Sequence, residues 1–72
     1  MIIVPNLGTS FAQNTEFDKL FAKGDSSFNQ GKYKEAITYY NKALKIKPND
    51  ADTLNRIGHA YFNLEKYDDA IT

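Results

Sequence analysis

The side chains that usually catalyse reactions or bind metals are scarce in this sequence of 72 residues. It has one histidine, His59, and no cysteine. Thiolate nucleophiles, disulfides and thiolate zinc sites are therefore excluded, and one histidine is too few for an all-protein transition-metal site. The nine acidic residues are scattered, and there is no glycine-rich phosphate loop. We predict no catalytic residue, no metal site and no cofactor, so the protein is not expected to be an enzyme.

Charge and hydropathy narrow the classes of partner. Nine Lys and Arg balance nine Asp and Glu, whereas a dedicated nucleic-acid-binding domain carries a basic excess. No apolar run approaches the roughly 18 residues of a membrane span. We therefore expect neither nucleic acid as a partner nor a membrane span. The balance is uneven, since residues 17–50 hold seven Lys against four acids, and residues 51–72 hold two basic residues against four acids.

The first 15 residues form an uncharged leader with no clear helical or strand period. The small residues Ser10 and Ala12 precede Gln13 with the spacing that a signal peptidase reads, but a basic start is absent and the apolar part is short. Two interpretations stay open: the end of a signal peptide, or a disordered leader. The compartment is therefore unknown; the cytoplasm is slightly favoured, and the protein is exported if residues 1–12 end a signal peptide.

Capping and turn residues predict where the helices begin and end. The first helix should begin at Thr15, which is followed by acids that suit a helix N-terminus, and should end near Asn29, with Gly31 closing it. The second should begin near Tyr33 and end before Pro48.

The third helix should begin at a cap supplied by Asn49 or Asp50. A short turn at Glu65 and Lys66 should then lead into the start of a fourth helix.

The sequence repeats itself with a period of 34 residues. When residues 17–38 are aligned with 51–72, 10 of 22 pairs are identical, whereas chance would give about one or two. Shared positions include Gly24 with Gly58 and Phe28 with Phe62. The two segments are therefore copies of one helix–turn–helix unit.

This unit, which ends in proline, resembles the tetratricopeptide repeat (TPR). The residues that carry the resemblance in the first copy are Leu20, Gly24, Ala36, Tyr40, Ala43 and Pro48, and in the second copy Leu54, Ile57, Gly58, Tyr61, Tyr67 and Ala70. The resemblance implies an all-α fold, an α-solenoid fragment with three full helices and the start of a fourth. Residues 16–50 would be the first repeat and 51–72 a second, truncated repeat. We expect a piece of a longer array, or a chain completed by association.

Residue size suggests how the helices pack. The small residues Gly24, Gly58, Ala36, Ala43 and Ala70 should allow close helix approach. The larger residues Leu20, Tyr40, Leu54 and Tyr61 should fill the space between helices. The polar pair Lys23 and Ser27 should face water on the outer side of the first repeat.

The resemblance also implies a concave groove lined by the first helix of each repeat. The residues expected to bind a peptide there are Phe21, Asp25, Phe28, Asn29, Asn55, Arg56, His59, Phe62 and Asn63. We expect this stripe to be separate from the packing face of Leu20, Gly24 and Ser27. The expected function is a protein–protein interaction module that binds a peptide or protein segment. The alternatives are a self-associating module completed by helix exchange, as a homo-oligomer, and an accessory region of a larger protein.

Overall fold

The computed structural model describes the backbone of residues 4–71 and, within that range, the side chains of residues 15–66. Its helices are α1 (Val4–Asn29), α2 (Tyr33–Ile46) and α3 (Ala51–Ile71), and no strand occurs in this range. Helix α2 packs against both α1 and α3. The predicted all-α class with helical hairpins is confirmed.

The beginning of α1 differs from the prediction. The helix was expected to begin at Thr15, but it begins at Val4 and includes part of the predicted leader. A proline in the first helical turn is compatible with this, because the N–H that proline lacks has no partner within the helix there. Pro5 occupies such a position. The interpretation of the leader as the end of a signal peptide remains a prediction.

The turn between α1 and α2 confirms the predicted glycine stop. Gly31 has φ 80°, the left-handed conformation that glycine adopts without steric cost. The backbone N–H of Lys32 donates to the carbonyl of Ser27 at 2.8 Å, and that of Gly31 donates to the carbonyl of Phe28 at 3.0 Å. These two bonds form the Schellman arrangement that satisfies the last carbonyls of a helix.

The turn between α2 and α3 also follows the sequence signals. Helix α2 ends at Ile46, before Pro48. Asp50 caps α3, because its Oδ2 accepts hydrogen bonds from the hydroxyl of Thr53 at 2.6 Å and from the N–H of Thr53 at 3.0 Å. These bonds, the hydroxyl first, lower the pKa of the Asp50 carboxyl below its ordinary value.

The predicted turn at Glu65 and Lys66 is wrong. Helix α3 runs without a break from Ala51 to Ile71, so there is no separate start of a fourth helix. In the repeat alignment Glu65 takes the place of Gly31. A residue with a Cβ is strained at the positive φ that Gly31 adopts, so this stop signal is missing from the second repeat. The side chains of Tyr67 and Ala70 lie outside the described residues.

The core is centred on α2. Ala36, Tyr40 and Ala43 are fully buried, and Phe17 of α1 and Ala60 of α3 are buried on either side. Gly24 permits the close approach of α1, because a Cβ built there would lie 2.5 Å from Cδ1 of Tyr40. The expectation that Gly24 is small for reasons of packing is therefore confirmed.

Other packing predictions are wrong, mostly on α3. Leu54 and Tyr61 were expected to be buried, but they are 49% and 56% exposed. A Cβ at Gly58 would meet no described atom within 4 Å, so no close approach among the described residues explains that glycine. On α1, Ser27 does not face water: it is buried and donates a hydrogen bond to Oε2 of Glu35 at 2.7 Å.

Candidate protein-binding surface

A polar cluster joins all three helices through Asp25 of α1. Its Oδ1 accepts a hydrogen bond from the hydroxyl of Tyr40 at 2.5 Å and another from Nη1 of Arg56 at 3.1 Å. The second contact is an ion pair between α1 and α3 whose side chains are partly exposed. Burial, together with the hydrogen bond to Asp25, raises the pKa of the Tyr40 phenol above its ordinary value.

Phe21 lies beside this cluster and extends it with aromatic contacts. Its ring stacks on that of Phe17 with centroids 5.9 Å apart, and lies tilted against Tyr40 at the same distance. The guanidinium of Arg56 sits 5.0 Å from the centroid of Phe21, within cation–π range. The structure thus brings together three of the predicted groove residues: Phe21, Asp25 and Arg56.

Phe28 also contacts α2. Its ring meets that of Tyr33 edge-on, with centroids 5.1 Å apart, and it is half-buried. Because Phe21 and Asp25 both contact Tyr40, the predicted groove stripe of α1 is not separate from the packing face. Residues of both stripes pack against α2, so the expected separation is wrong.

The remaining predicted groove residues are mostly open to solvent. Asn29, Asn55 and His59 are exposed, Asn63 is half-buried and Phe62 is 60% exposed. The amide of Asn63 donates to the backbone carbonyl of His59 at 2.8 Å, which orients that side chain along α3. The ammonium of Lys66 lies 5.4 Å from the centroid of Phe62.

The described residues contain no group of three or more His, Asp and Glu side chains that could hold a metal ion. Within the same part of the chain, no helix is both long and apolar enough to cross a membrane.

A comparison with protein-family models now decides the family. The model of the TPR repeat matches residues 24–65, which is more than half of the chain. The chain belongs to the TPR family. TPR repeats are non-catalytic and generally mediate protein–protein interactions, which gives the class of function but no particular partner. Comparisons with curated proteins and with solved structures gave no significant match.

The sequence did not predict the hydrogen bond of Tyr40. Tyr40 was predicted only as a packing residue, yet it also supplies the hydroxyl that links α2 to Asp25. The bonds of Asp25 to Tyr40 and Arg56 span 15 and 31 residues. The three residues lie on three different helices, so a period within one helix could not point to these bonds, and neither separation equals the 34-residue repeat period.

Proposed function

We propose that this TPR chain binds a peptide or protein segment along the concave surface, defined as the nine predicted groove residues of α1 and α3, and that it carries no chemistry of its own. The observation that supports this most is the bridge from Arg56 to Asp25 and Phe21. It couples the first helices of the two repeats, so a ligand that contacts α1 can also contact α3.

Aromatic and amide side chains give this surface its binding chemistry. Phe62 is 60% exposed and offers apolar contact area, while Phe28 is half-buried beside Tyr33. Asn29, Asn55 and Asn63 carry amides that can both donate to and accept from a peptide backbone. A ligand that presents apolar side chains, either as an amphipathic helix or as an extended segment, matches this combination.

The charges of the surface favour a segment that is basic rather than acidic. Asp18 and Asp52 are not among the nine residues, but each precedes one of them, Phe21 or Asn55, by three positions on the same side of its helix, and both are exposed. The positive charge of Arg56 is partly neutralised by its ion pair with Asp25. Complementary charge mainly raises the association rate and the selectivity of binding, so the preference for basic ligands should weaken as salt is added.

The test is a selection of peptides from a random library on the full chain, followed by titration calorimetry with the selected peptide. Phe62→Ala should weaken binding by about tenfold or more if Phe62 anchors the ligand. Tyr61→Ala is the matched control, because Tyr61 is a neighbouring exposed aromatic outside the concave surface. Binding that is unchanged in both Phe28→Ala and Phe62→Ala, with helicity retained by circular dichroism, would contradict the proposal.

A further inference from the structure

The outer side of α2 carries a row of exposed lysines. We call Lys34, Thr38, Lys42 and Lys45 the lysine face. These residues lie four, four and three positions apart, so they share one side of the helix, and all of them are exposed. The buried residues of α2 lie on its opposite side. At about 1.5 Å of rise per residue, the row is about 16 Å long.

The positive charge of the lysine face is not neutralised by nearby carboxylates. Within the described side chains of residues 15–66, no lysine forms an ion pair; the ion pair in that range joins Arg56 to Asp25. The acidic residue of α2 is Glu35, whose carboxylate accepts a hydrogen bond from Ser27 and is thereby drawn toward α1. A ligand that brings carboxylates would therefore meet lysines that have no competing partner.

We propose that the lysine face binds an extended acidic segment of a partner protein, in which Asp and Glu occur in a run. An extended chain spans about 3.3 Å per residue, so a run of about five residues covers the row. Runs of about five or six like charges are typically disordered and often serve as interaction tails. The lysine face shares no residue with the proposed concave surface, so this inference does not rest on the proposed function.

The lysine face suits a peptide better than a membrane surface. Helices that lie on membranes combine basic residues with large apolar side chains that enter the lipid. In the described part of the chain, the large apolar side chains that are exposed are Leu54, Tyr61 and Phe62, and all of them belong to α3. The lysine face therefore offers charge to its ligand without an apolar anchor.

A second copy of these residues does not supply the acidic run. The longest run of acids in the 72 residues is the pair Asp68 and Asp69. Two adjacent residues span only about 7 Å even when extended, which is less than half of the row. The charge pattern of the lysine face therefore fits a different protein segment, one with more consecutive carboxylates.

The probe is a fluorescently labelled peptide of about eight residues, long enough to cover the row, in which Asp and Glu alternate. Fluorescence anisotropy with the full chain at about 0.05 M salt should show saturable binding. Raising the salt to about 0.5 M should weaken binding by about tenfold or more, because exposed charges are then screened. A peptide of the same length with Asn and Gln in place of Asp and Glu is the matched ligand control and should not bind.

The decisive variant of the protein combines Lys34→Gln, Lys42→Gln and Lys45→Gln. These side chains are exposed, so folding should persist, which circular dichroism would check. Binding of the acidic peptide at about 0.15 M salt should fall by about tenfold, the effect of losing three exposed ion pairs. The NMR signals of the lysine-face amides should shift when the peptide is added to the parent chain, and should not shift in the variant.

The matched control removes the same amount of charge at other places. It combines three exposed lysines that lie outside α2: Lys19→Gln, Lys47→Gln and Lys66→Gln. At about 0.15 M salt, charges more than about 8 Å apart are largely screened, so this control should weaken binding by less than about twofold.

Four results would overturn the inference. Absence of saturable binding would show that the lysine face receives no acidic segment. An equal loss of binding in the two triple variants would show that net charge alone attracts the peptide. NMR shifts confined to α1 and α3 would place the peptide on another surface. Binding of the chain to vesicles with about a third of phosphatidylserine, or to single-stranded DNA, without binding of the peptide would identify a different class of ligand.

Discussion

The two repeats share a sequence pattern but differ in burial. In the first, Gly24 is buried under Tyr40 and Ser27 is buried against Glu35. In the second, Gly58 is exposed and Tyr61 is 56% exposed. The difference shows that the pattern specifies a helix and a packing stripe, whereas burial of that stripe depends on the helix that covers it. A helix face of the same type is core in one repeat and surface in the other.

The largest difference in unfolding free energy is expected between variants of Tyr40 in the first repeat and Tyr61 in the second. Tyr40 is fully buried, so Tyr40→Ala should lower the free energy of unfolding by about 3–5 kcal/mol, the usual cost of deleting a buried aromatic ring. Tyr61→Ala should cost less than about 1 kcal/mol because the ring is mostly in solvent. Urea titrations followed by circular dichroism measure both values. Similar losses in the two variants would contradict the difference in burial.

Alkaline pH should lower the stability of the protein through Tyr40. The pKa of an ordinary tyrosine is about 10, and burial raises the pKa of Tyr40 in the folded state. The unfolded chain therefore loses this proton first, and the free energy of unfolding should fall as the pH rises above about 10. Tyr40→Phe keeps the ring and removes the proton, so it should flatten this dependence relative to the parent chain. An unchanged slope would mean that Tyr40 does not cause it.

Asp25, whose carboxyl joins the helices, should contribute more to the free energy of unfolding than its equivalent residue in the second repeat. Asp25→Ala leaves the buried hydroxyl of Tyr40 without its acceptor, which should cost about 1–3 kcal/mol of unfolding free energy. The equivalent residue of α3 is His59, which is exposed, so His59→Ala should change it by less than about 0.5 kcal/mol. Chemical denaturation compares the two. A loss in His59→Ala as large as in Asp25→Ala would contradict this assignment.

The smallest of these differences concerns how the first helix of each repeat begins. Asp50 caps α3, so Asp50→Ala should lower the free energy of unfolding by leaving the N–H of Thr53 without its acceptor. The equivalent Glu16 lies inside α1, where Glu16→Ala should cost less than about 0.5 kcal/mol.

The acid dependence of stability supplies a check on the cap. The pKa of Asp50 is lowered in the folded state. The stability that its carboxylate contributes is therefore present at pH values above the ordinary carboxyl pKa, and it is lost in stronger acid. Asp50→Ala should remove that part of the acid dependence. Thermal melts between pH 2 and 6, about the range in which carboxyls titrate, would show it. An equal acid dependence in the parent and in Asp50→Ala would contradict the capping role.

Local signals in the sequence predicted local structure well. Gly31 and Asp50 mark helix ends because a single residue carries each signal, through its backbone freedom or its capping carboxyl. The repeat period led to the family for a similar reason: it is visible without knowledge of any contact. The start of α1 was missed because an uncharged segment with Pro5 lacks a helical pattern, although nothing in it forbids a helix.

Interactions between distant residues could not be predicted in the same way. The predicted turn at Glu65 and Lys66 does not form, because Glu65 lacks the backbone freedom of Gly31, which ends α1. The exposure of Leu54 could not be foreseen, because it depends on which helix covers α3. The cluster of Asp25, Tyr40 and Arg56 forms only when three helices meet.

The central claim is that one stripe is filled on α1 and open on α3, and the two repeat-equivalent glycines test it most directly. The measurement is the free energy of unfolding of Gly24→Ala and Gly58→Ala in parallel urea titrations. Gly24→Ala should lose about 1–3 kcal/mol, because its Cβ would overlap the ring of Tyr40. Gly58→Ala should gain up to about 1 kcal/mol, because alanine favours the helix and meets open space. Opposite signs are predicted, and a loss of similar size in both variants would contradict the account.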